Sequence, residues 1–266
     1  MGPIRAQARG GPEGTERRRS RLDPRYGLAP VAVNVLRLLL MPSSTSPIRL
    51  LHDLPRVTVR QRSVSDMANN VYVLTSKTSG TQVLIDAADD AVAVSELLQS
   101  AKDDTPCELK LAVIITTHQH WDHIRALAEV VEATGVPTAA GVDDADAIER
   151  ETGVRAKVLL NHGDTATFDG ISMAVVGLRG HTPGSVALVY EPEDGPPLCF
   201  SGDSLFPGGV GNTQQDADRF DSLFTDVVER LFEQYPDDMI VHPGHGDATT
   251  LGTERPHLGD WRERGW

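Results

Sequence analysis

The sequence predicts a mixed α/β fold, and three observations carry that prediction. Short apolar runs rich in β-branched residues alternate with segments of helical periodicity. Four of the runs lead into a residue able to ligate a metal: residues 111–115 before His118, 171–176 before His181, 198–202 before Asp203, and 239–241 before His245. The 266-residue chain is also long enough for one layered domain, which takes roughly 200–250 residues. In layered α/β proteins the carboxyl ends of strands are where loops gather functional groups.

In chain order, the first forty residues differ from the rest. Residues 1–26 carry seven Arg against three acidic residues, a net +4. An apolar stretch over 28–40 follows, broken by Asn34 and Arg37. It is too short to span a bilayer. As a secretory signal it is interrupted by charge and lacks a clear small-residue cleavage site. Residues 1–46 are therefore expected to be a disordered or misassigned N-terminal extension, since Met41-Pro42-Ser43 reads like a natural start, and residues 47–266 the folded domain.

Within that domain strands are expected over 57–62, 71–75 and 82–86, then a helix over 91–101. Beyond the 111–115 strand the periodicity predicts a helix over 124–133, a strand over 136–140 and an Asp-rich helix over 143–151. Further strands are expected near Val158 and over 171–176, 186–190, 198–202 and 239–241. Phe220, Leu223, Phe224, Val227, Val228, Leu231 and Phe232 form a helical stripe over 220–235 that should pack on a sheet. The tail over 256–266 has room for one helix, and no repeat of solenoid period is present.

The run Thr116-Thr117-His118-Gln119-His120-Trp121-Asp122-His123 is the most informative segment. It places three imidazoles and a carboxylate within six residues at a strand end, a density that suits a metal site better than a solvated turn. Neutral imidazole and carboxylate together suit zinc, iron or manganese. His181 lies in the Gly180-His181-Thr182-Pro183-Gly184 turn, Asp203 follows Phe200-Ser201-Gly202, and His245 lies in His242-Pro243-Gly244-His245-Gly246.

In these motifs, taken in order, the stretch over 55–266 resembles the metallo-β-lactamase fold hydrolases, and within them the glyoxalase II (hydroxyacylglutathione hydrolase) branch. The resemblance implies a four-layer αββα sandwich and a dinuclear centre. His118, His120 and His181 would hold the first ion and Asp122, His123 and His245 the second, with Asp203 bridging. Two cations about 3.5–4 Å apart need such a shared anion, and they hold a bridging hydroxide that serves as nucleophile at neutral pH. His118, His120, Asp122 and Asp203 would then act in catalysis through the ions they hold, without a Ser or Cys nucleophile. Two Zn²⁺ ions are expected, with iron or manganese as alternatives. Asp86 stands where the family carries an Asp near its histidine ligands, or else is a strand-end turn residue. His242 lies outside the ligand pattern, and His52, His162 and His257 have no ligand neighbours in sequence. Cys107 reads as a loop thiol and Cys199 as a core residue.

The chain departs from the family in two places. Asp122-His123-Ile124-Arg125-Ala126 stands where the family reads Asp-His-x-Gly-Gly, removing glycines that allow close backbone approach. Gly209-Val210-Gly211-Asn212 replaces a Gly-Arg-Thr-Asp segment, so an arginine associated with substrate anchoring is missing. Trp121 reads as a pocket wall. About twenty residues follow His245, which leaves no room for the helical C-terminal domain that binds glutathione in full-length glyoxalase II.

The expected function is hydrolysis of a small acyl ester, foremost a thioester. A mononuclear iron persulfide dioxygenase and a lactonase of the same fold are alternatives, and a noncatalytic binding domain is disfavoured by the complete ligand set. True β-lactamases resemble the chain in fold but generally lack a bridging Asp at position 203. Outside residues 1–26 the chain carries −17, the total being −13. That acidic body argues against nucleic acid as a partner, and no membrane partner is expected. Two cysteines give no disulfide framework, in keeping with a cytoplasmic protein.

Overall fold

The structure, a computed structural model, describes residues 46–265. The extension expected over 1–46 lies, Ser46 apart, outside the described residues.

Seven strands form the first sheet in sequence order: β1 (Arg49–Asp53), β2 (Val57–Val64), β3 (Asn69–Ser76), β4 (Thr81–Ile85), β5 (Lys110–Thr116), β6 (Thr138–Gly141) and β7 (Val158–Leu160). The first four pair antiparallel and the last four parallel. Parallel neighbours require crossovers, and these are α1 (Ala91–Gln99), α2 (Leu127–Thr134) and α3 (Ala145–Thr152). The second half of the chain supplies β8 (Thr165–Phe168), β9 (Ile171–Gly177), β10 (Val186–Tyr190), β11 (Leu198–Gly202), β12 (Leu205–Phe206), β13 (Gly209–Val210), β14 (Ile240–Pro243) and β15 (Thr249–Thr250). Six of them form the second sheet, in the order β15-β14-β11-β10-β9-β8, and β12 and β13 make a separate ribbon. Helices α4 (Ala217–Val227), α5 (Leu251–Glu254) and α6 (Leu258–Arg264) accompany this half.

Side-chain alternation divides the interior into three layers of contact. Val57, Val59, Tyr72, Leu74, Val83, Ile85, Val113 and Ile115 from the first sheet meet Met173, Val175, Leu188 and Phe200 from the second. The intervening Val71, Val73, Leu84 and Ile114 face the opposite way onto α1 and α2. Ala187, Val189 and Cys199 face α4 and Trp261 of α6. The result is the four-layer αββα sandwich, two sheets face to face with helices outside.

Local differences from the expected elements have specific causes. The helix expected from Ile124 begins at Leu127, because Trp121–His123 form a single 3₁₀ turn that places Asp122 and His123 in the interior. The 220–235 stripe starts earlier, at Ala217, where the Asp216 carboxylate accepts from the Arg219 amide, and it ends in a π turn over Val228–Phe232. Helix α1 stops at Gln99 and passes into a 3₁₀ turn. Strands β1, β8, β12, β13 and β15 were not expected. Among the described residues no helix is long and apolar enough to cross a membrane.

The two sheets are stitched together at one edge. The Val186 amide donates to the Thr117 carbonyl at 2.9 Å, and the Asn70 amide to the Gly244 carbonyl at 2.7 Å. The loops after β4, β5, β11 and β14 all leave from this edge.

Candidate metal centre

Each ligand candidate is delivered by a strand end. His118 and His120 follow β5, Asp122 and His123 sit on the 3₁₀ turn behind them, His181 lies between β9 and β10, Asp203 follows β11 and His245 follows β14. Parallel pairing of β11 with β14 brings Asp203 and His245 to the same edge. All seven residues converge there. The donor atoms form three overlapping groups within 4.8 Å: His118, His120 and His181; His118, His123 and Asp203; Asp122, His123 and His245. Asp203 lies between the first and last. Its Oδ2 is 3.7 Å from His181 Nε2 and 3.4 Å from His245 Nε2, while Oδ1 is 3.4 Å from His123 Nε2. Asp122 Oδ2 lies 3.2 Å from His245 Nε2.

The far nitrogens of four of these imidazoles are each spoken for. His123 Nδ1 is 2.8 Å from Asp86 Oδ2, His181 Nδ1 2.8 Å from the Asn212 carbonyl, and His245 Nδ1 2.8 Å from the Met67 carbonyl. Thr117 Oγ1 donates to Asp86 Oδ2 and is left to accept from His118 Nδ1 at 3.0 Å. These contacts fix the ring orientations and leave the Nε2 atoms facing inward. Asp86 also accepts from the Thr117 amide at 2.7 Å. Both of its sequence readings hold: Asp86 turns the chain at the end of β4 with φ +58° and supports a site histidine.

Whether these residues suit an ion can be judged from what they leave unsatisfied. His118 Nε2, His181 Nε2 and Asp203 Oδ1 are buried and have no hydrogen-bond partner. Buried polar atoms without partners are rare and costly. Three of them, all belonging to ligand candidates in the overlapping donor groups, fit divalent cations. The electrostatics agree. Burial holds the His118 imidazole well below its ordinary pKa, lowers that of His120 and pushes that of His181 down to about 4, so this triad is neutral at pH 7 and ready to ligate. At the other end burial opposes charge on Asp122 and Asp203, but His245, Asn69 and His123 beside Asp122, and His123, His245 and His118 beside Asp203, outweigh it and hold both carboxyls well below the usual carboxylate range. Burial opposes charge on His123 and His245 too, but Asp203 and Asp86 raise the proton affinity of His123, and Asp122 and Asp203 that of His245. A dication between these residues balances the two carboxylates better than two imidazolium ions 3.1 Å apart.

Several supporting residues escaped the sequence analysis. Asn69 Nδ2 donates to Asp122 Oδ2 at 2.9 Å. Arg219 donates to the carbonyls of Gly180 and His181 at 2.8 and 2.5 Å, clamping the His181 turn. Asp144 accepts from the Gln119 amide. None of these carries a motif; only their polarity beside apolar periodic segments could have drawn attention. Trp121 is 52% exposed, with the Arg125 guanidinium 4.4 Å over its ring, so the two residues form a stacked rim beside Asp122.

The other histidines stand apart from the cluster. His162 and His257 are exposed. His242 is buried between the sheets, stacked on Phe200 and 2.8 Å from His52 through their Nε2 atoms. Burial pushes its pKa down to about 3. An unfolded chain takes up this proton below about 6.5, whereas the folded one does not until about pH 3, so the contribution of His242 to stability falls as pH drops through that window. We expect His242→Phe, which keeps a ring on Phe200, to flatten the acid limb of a denaturation series by up to ~1.4 kcal/mol per pH unit between pH 6 and 4. Parallel wild-type and variant curves would place the acid sensitivity elsewhere.

The comparisons with known proteins agree with this geometry. The sequence profile of the metallo-beta-lactamase superfamily matches residues 64–245, from the end of β2 to the last site histidine. The chain is 28% identical over 167 residues to the hydroxyacylglutathione hydrolase GloC of Haemophilus influenzae, covering 56% of this chain and 74% of that protein. It is 28% identical over 194 residues to the mitochondrial persulfide dioxygenase ETHE1 of Mus musculus, covering 71% and 68%. The solved structure of TTHA1623 in a di-iron-bound form is similar with a TM-score of 0.54 and 31% identity, over 73% of this chain and 95% of that one. With a profile match that contains all seven site residues, on an αββα sandwich, the chain belongs to the metallo-beta-lactamase superfamily.

Proposed function

We propose that the protein is a dinuclear metal-dependent hydrolase of small acyl esters, with thioesters as the preferred class. The observation that carries this reading is the position of Asp203 between two complete sets of donors. His118, His120 and His181 would hold one ion, Asp122, His123 and His245 the other, and Asp203 would be shared. Zinc suits this nitrogen-rich set, and the di-iron form of TTHA1623 makes iron the alternative. Bound there, such ions would lower the pKa of a water toward neutrality and polarise an acyl carbonyl. The chain's own part is to aim the imidazoles through Asp86, Thr117, Asn212 and Met67, and to keep Asp122 and Asp203 ionised. Neither cysteine is placed to serve as nucleophile: Cys199 is buried facing α4 with its thiol pushed up to about 12, and Cys107 precedes β5, at the opposite end of that strand from His118.

The name of GloC supports a thioester, and that of ETHE1 supports dioxygenation. A mononuclear iron reading would leave Asp122 and His245 without a role, and both point into the cluster here. Thioesters are also the easier electrophile, since their acyl carbon is less stabilised by resonance than that of an amide and thiolate leaves well.

The test is elemental analysis followed by a substrate panel. Protein purified without chelator is expected to hold two equivalents of metal and to release free thiol from a 2-hydroxyacyl thioester faster than it opens a β-lactam or cleaves a phosphodiester, with no oxygen uptake. One iron per chain together with oxygen consumption on a persulfide would replace this reading by the dioxygenase. Turnover confined to a lactone would keep the centre and change the substrate class.

A further inference from the structure

Asp144 occupies the N-cap position of α3, where a carboxylate ordinarily accepts from the amides of the first helical turn. Here it makes no such bond. Both its oxygens are spent across the chain instead: Oδ2 accepts from the Gln119 amide at 2.9 Å and the Thr182 hydroxyl at 2.6 Å, and Oδ1 accepts from the Gly184 amide at 2.7 Å. The residue is fully buried. Forgoing a cap costs about 1 kcal/mol and burying a carboxylate costs more, so the three bonds must hold something that the fold needs.

Their location says what. Gln119 is the residue between His118 and His120, and Thr182 adjoins His181. The two loops that carry the triad come from different sheets, β5 in the first and the β9–β10 connection in the second, and Asp144 stands between them. The turn after β6 is packed tightly against the His181 turn: a side chain on Gly141 would collide with the Gly184 carbonyl, and one on Gly184 with the Asp144 amide. Thr182 Oγ1 is further tied to Ser185 Oγ at 2.5 Å, which closes the network.

We propose that Asp144 is a positioning residue for the triad, setting His181 at its distance from the His118–His120 pair and so tuning the first metal site without touching the second. This rests on the dinuclear reading above. Asp86 plays the matching part for the other end, through His123. The first half-site is thus held by a carboxylate that bonds only the neighbours of its ligands, the second by one that bonds a ligand directly.

Asp144→Asn separates this role from bulk. The amide is isosteric, but only one of its two ends can accept, so it can serve the Gly184 amide or the Gln119 amide and not both. The full-length chain loaded with cobalt(II) is followed by chelator competition and by its d–d absorption, with His181→Ala as the reference for loss of the triad site and circular dichroism as the check on folding. The variant is expected to fold, to bind one of the two cobalt ions about 10–100-fold more weakly, and to lose the band that His181→Ala loses. Thr182→Val, which removes one donor, is expected to shift the same site by less. A folded Asp144→Asn that binds both ions like the wild type, or weakens both equally, overturns the proposal. Should that variant not fold, Thr182→Val decides by the same two outcomes. Failure of the dinuclear reading would show separately, as fewer than two cobalt ions in the wild-type chain, and would overturn both.

Discussion

Asp203→Ala is expected to release both ions and to lower hydrolysis at least about a thousandfold, a loss of ~4 kcal/mol in transition-state stabilisation. The carboxylate reaches both donor sets, 3.7 Å from His181 Nε2 and 3.4 Å from both His123 Nε2 and His245 Nε2. Without it two cations would face each other across neutral imidazoles with Asp122 as the remaining charge, and their repulsion would be unscreened in a buried site. Asp203→Asn keeps the volume and removes the charge, so it should behave like the alanine variant rather than the wild type. The control is His242→Phe, which alters a buried histidine outside the cluster and should keep two equivalents of metal in the folded protein. Metal content by elemental analysis and thiol release on the same samples check the result. Retention of one tightly held ion in Asp203→Ala, with turnover, would show that the carboxylate belongs to a single site.

What the sequence made legible was whatever a local pattern can carry. Strands β3, β4, β10 and β11 are buried throughout and β5 over its last four residues, and their apolar runs announce them. The ligand candidates stand out because each follows such a run. β1 and β8 were missed because they are edge strands with almost no fully buried residue, none in β1 and one in β8, and β12, β13 and β15 because two residues carry no periodicity. The 3₁₀ turn at Trp121–His123 was read as leading straight into a helix. Helical spacing on Ile124 and Leu127 describes burial, not the hydrogen bonds that the motif's inward turn requires. The supporting residues were hidden for another reason. Asn69 meets Asp122 across 53 positions, and Asp144 meets Gln119 and Thr182 across 25 and 38, so their partners exist only after the sheets have paired. Asp144 is the sharpest case. A carboxylate at the head of a helix ordinarily caps it, and this one bonds Gln119, Thr182 and Gly184 instead.

One tight constraint on the centre comes from a residue with no functional group. Gly244→Ala is expected to cost both metal equivalents and nearly all activity, and to destabilise the fold by about 1–3 kcal/mol through overpacking. A Cβ at this position would stand inside contact distance of Asp203 Oδ1, 2.7 Å from His123 Cε1 and 3.2 Å from the Gly202 carbonyl carbon. The backbone cannot give way, because the Gly244 amide donates to the Gly202 carbonyl at 2.8 Å and its own carbonyl accepts from the Asn70 amide at 2.7 Å. The movable partners are therefore Asp203 and His123, and displacing either one disturbs the bridge. Two residues on, Gly246 provides the contrast. It adopts φ +70° with nothing within 4 Å of an added Cβ, so its demand is conformational and not spatial. Gly246→Ala should cost about 1 kcal/mol of stability and leave metal content at two. Measuring both variants by elemental analysis and thermal denaturation separates the two roles. Equal metal loss in both would mean that the loop's flexibility, and not the close approach of Gly244 to Asp203, sets the geometry of the centre.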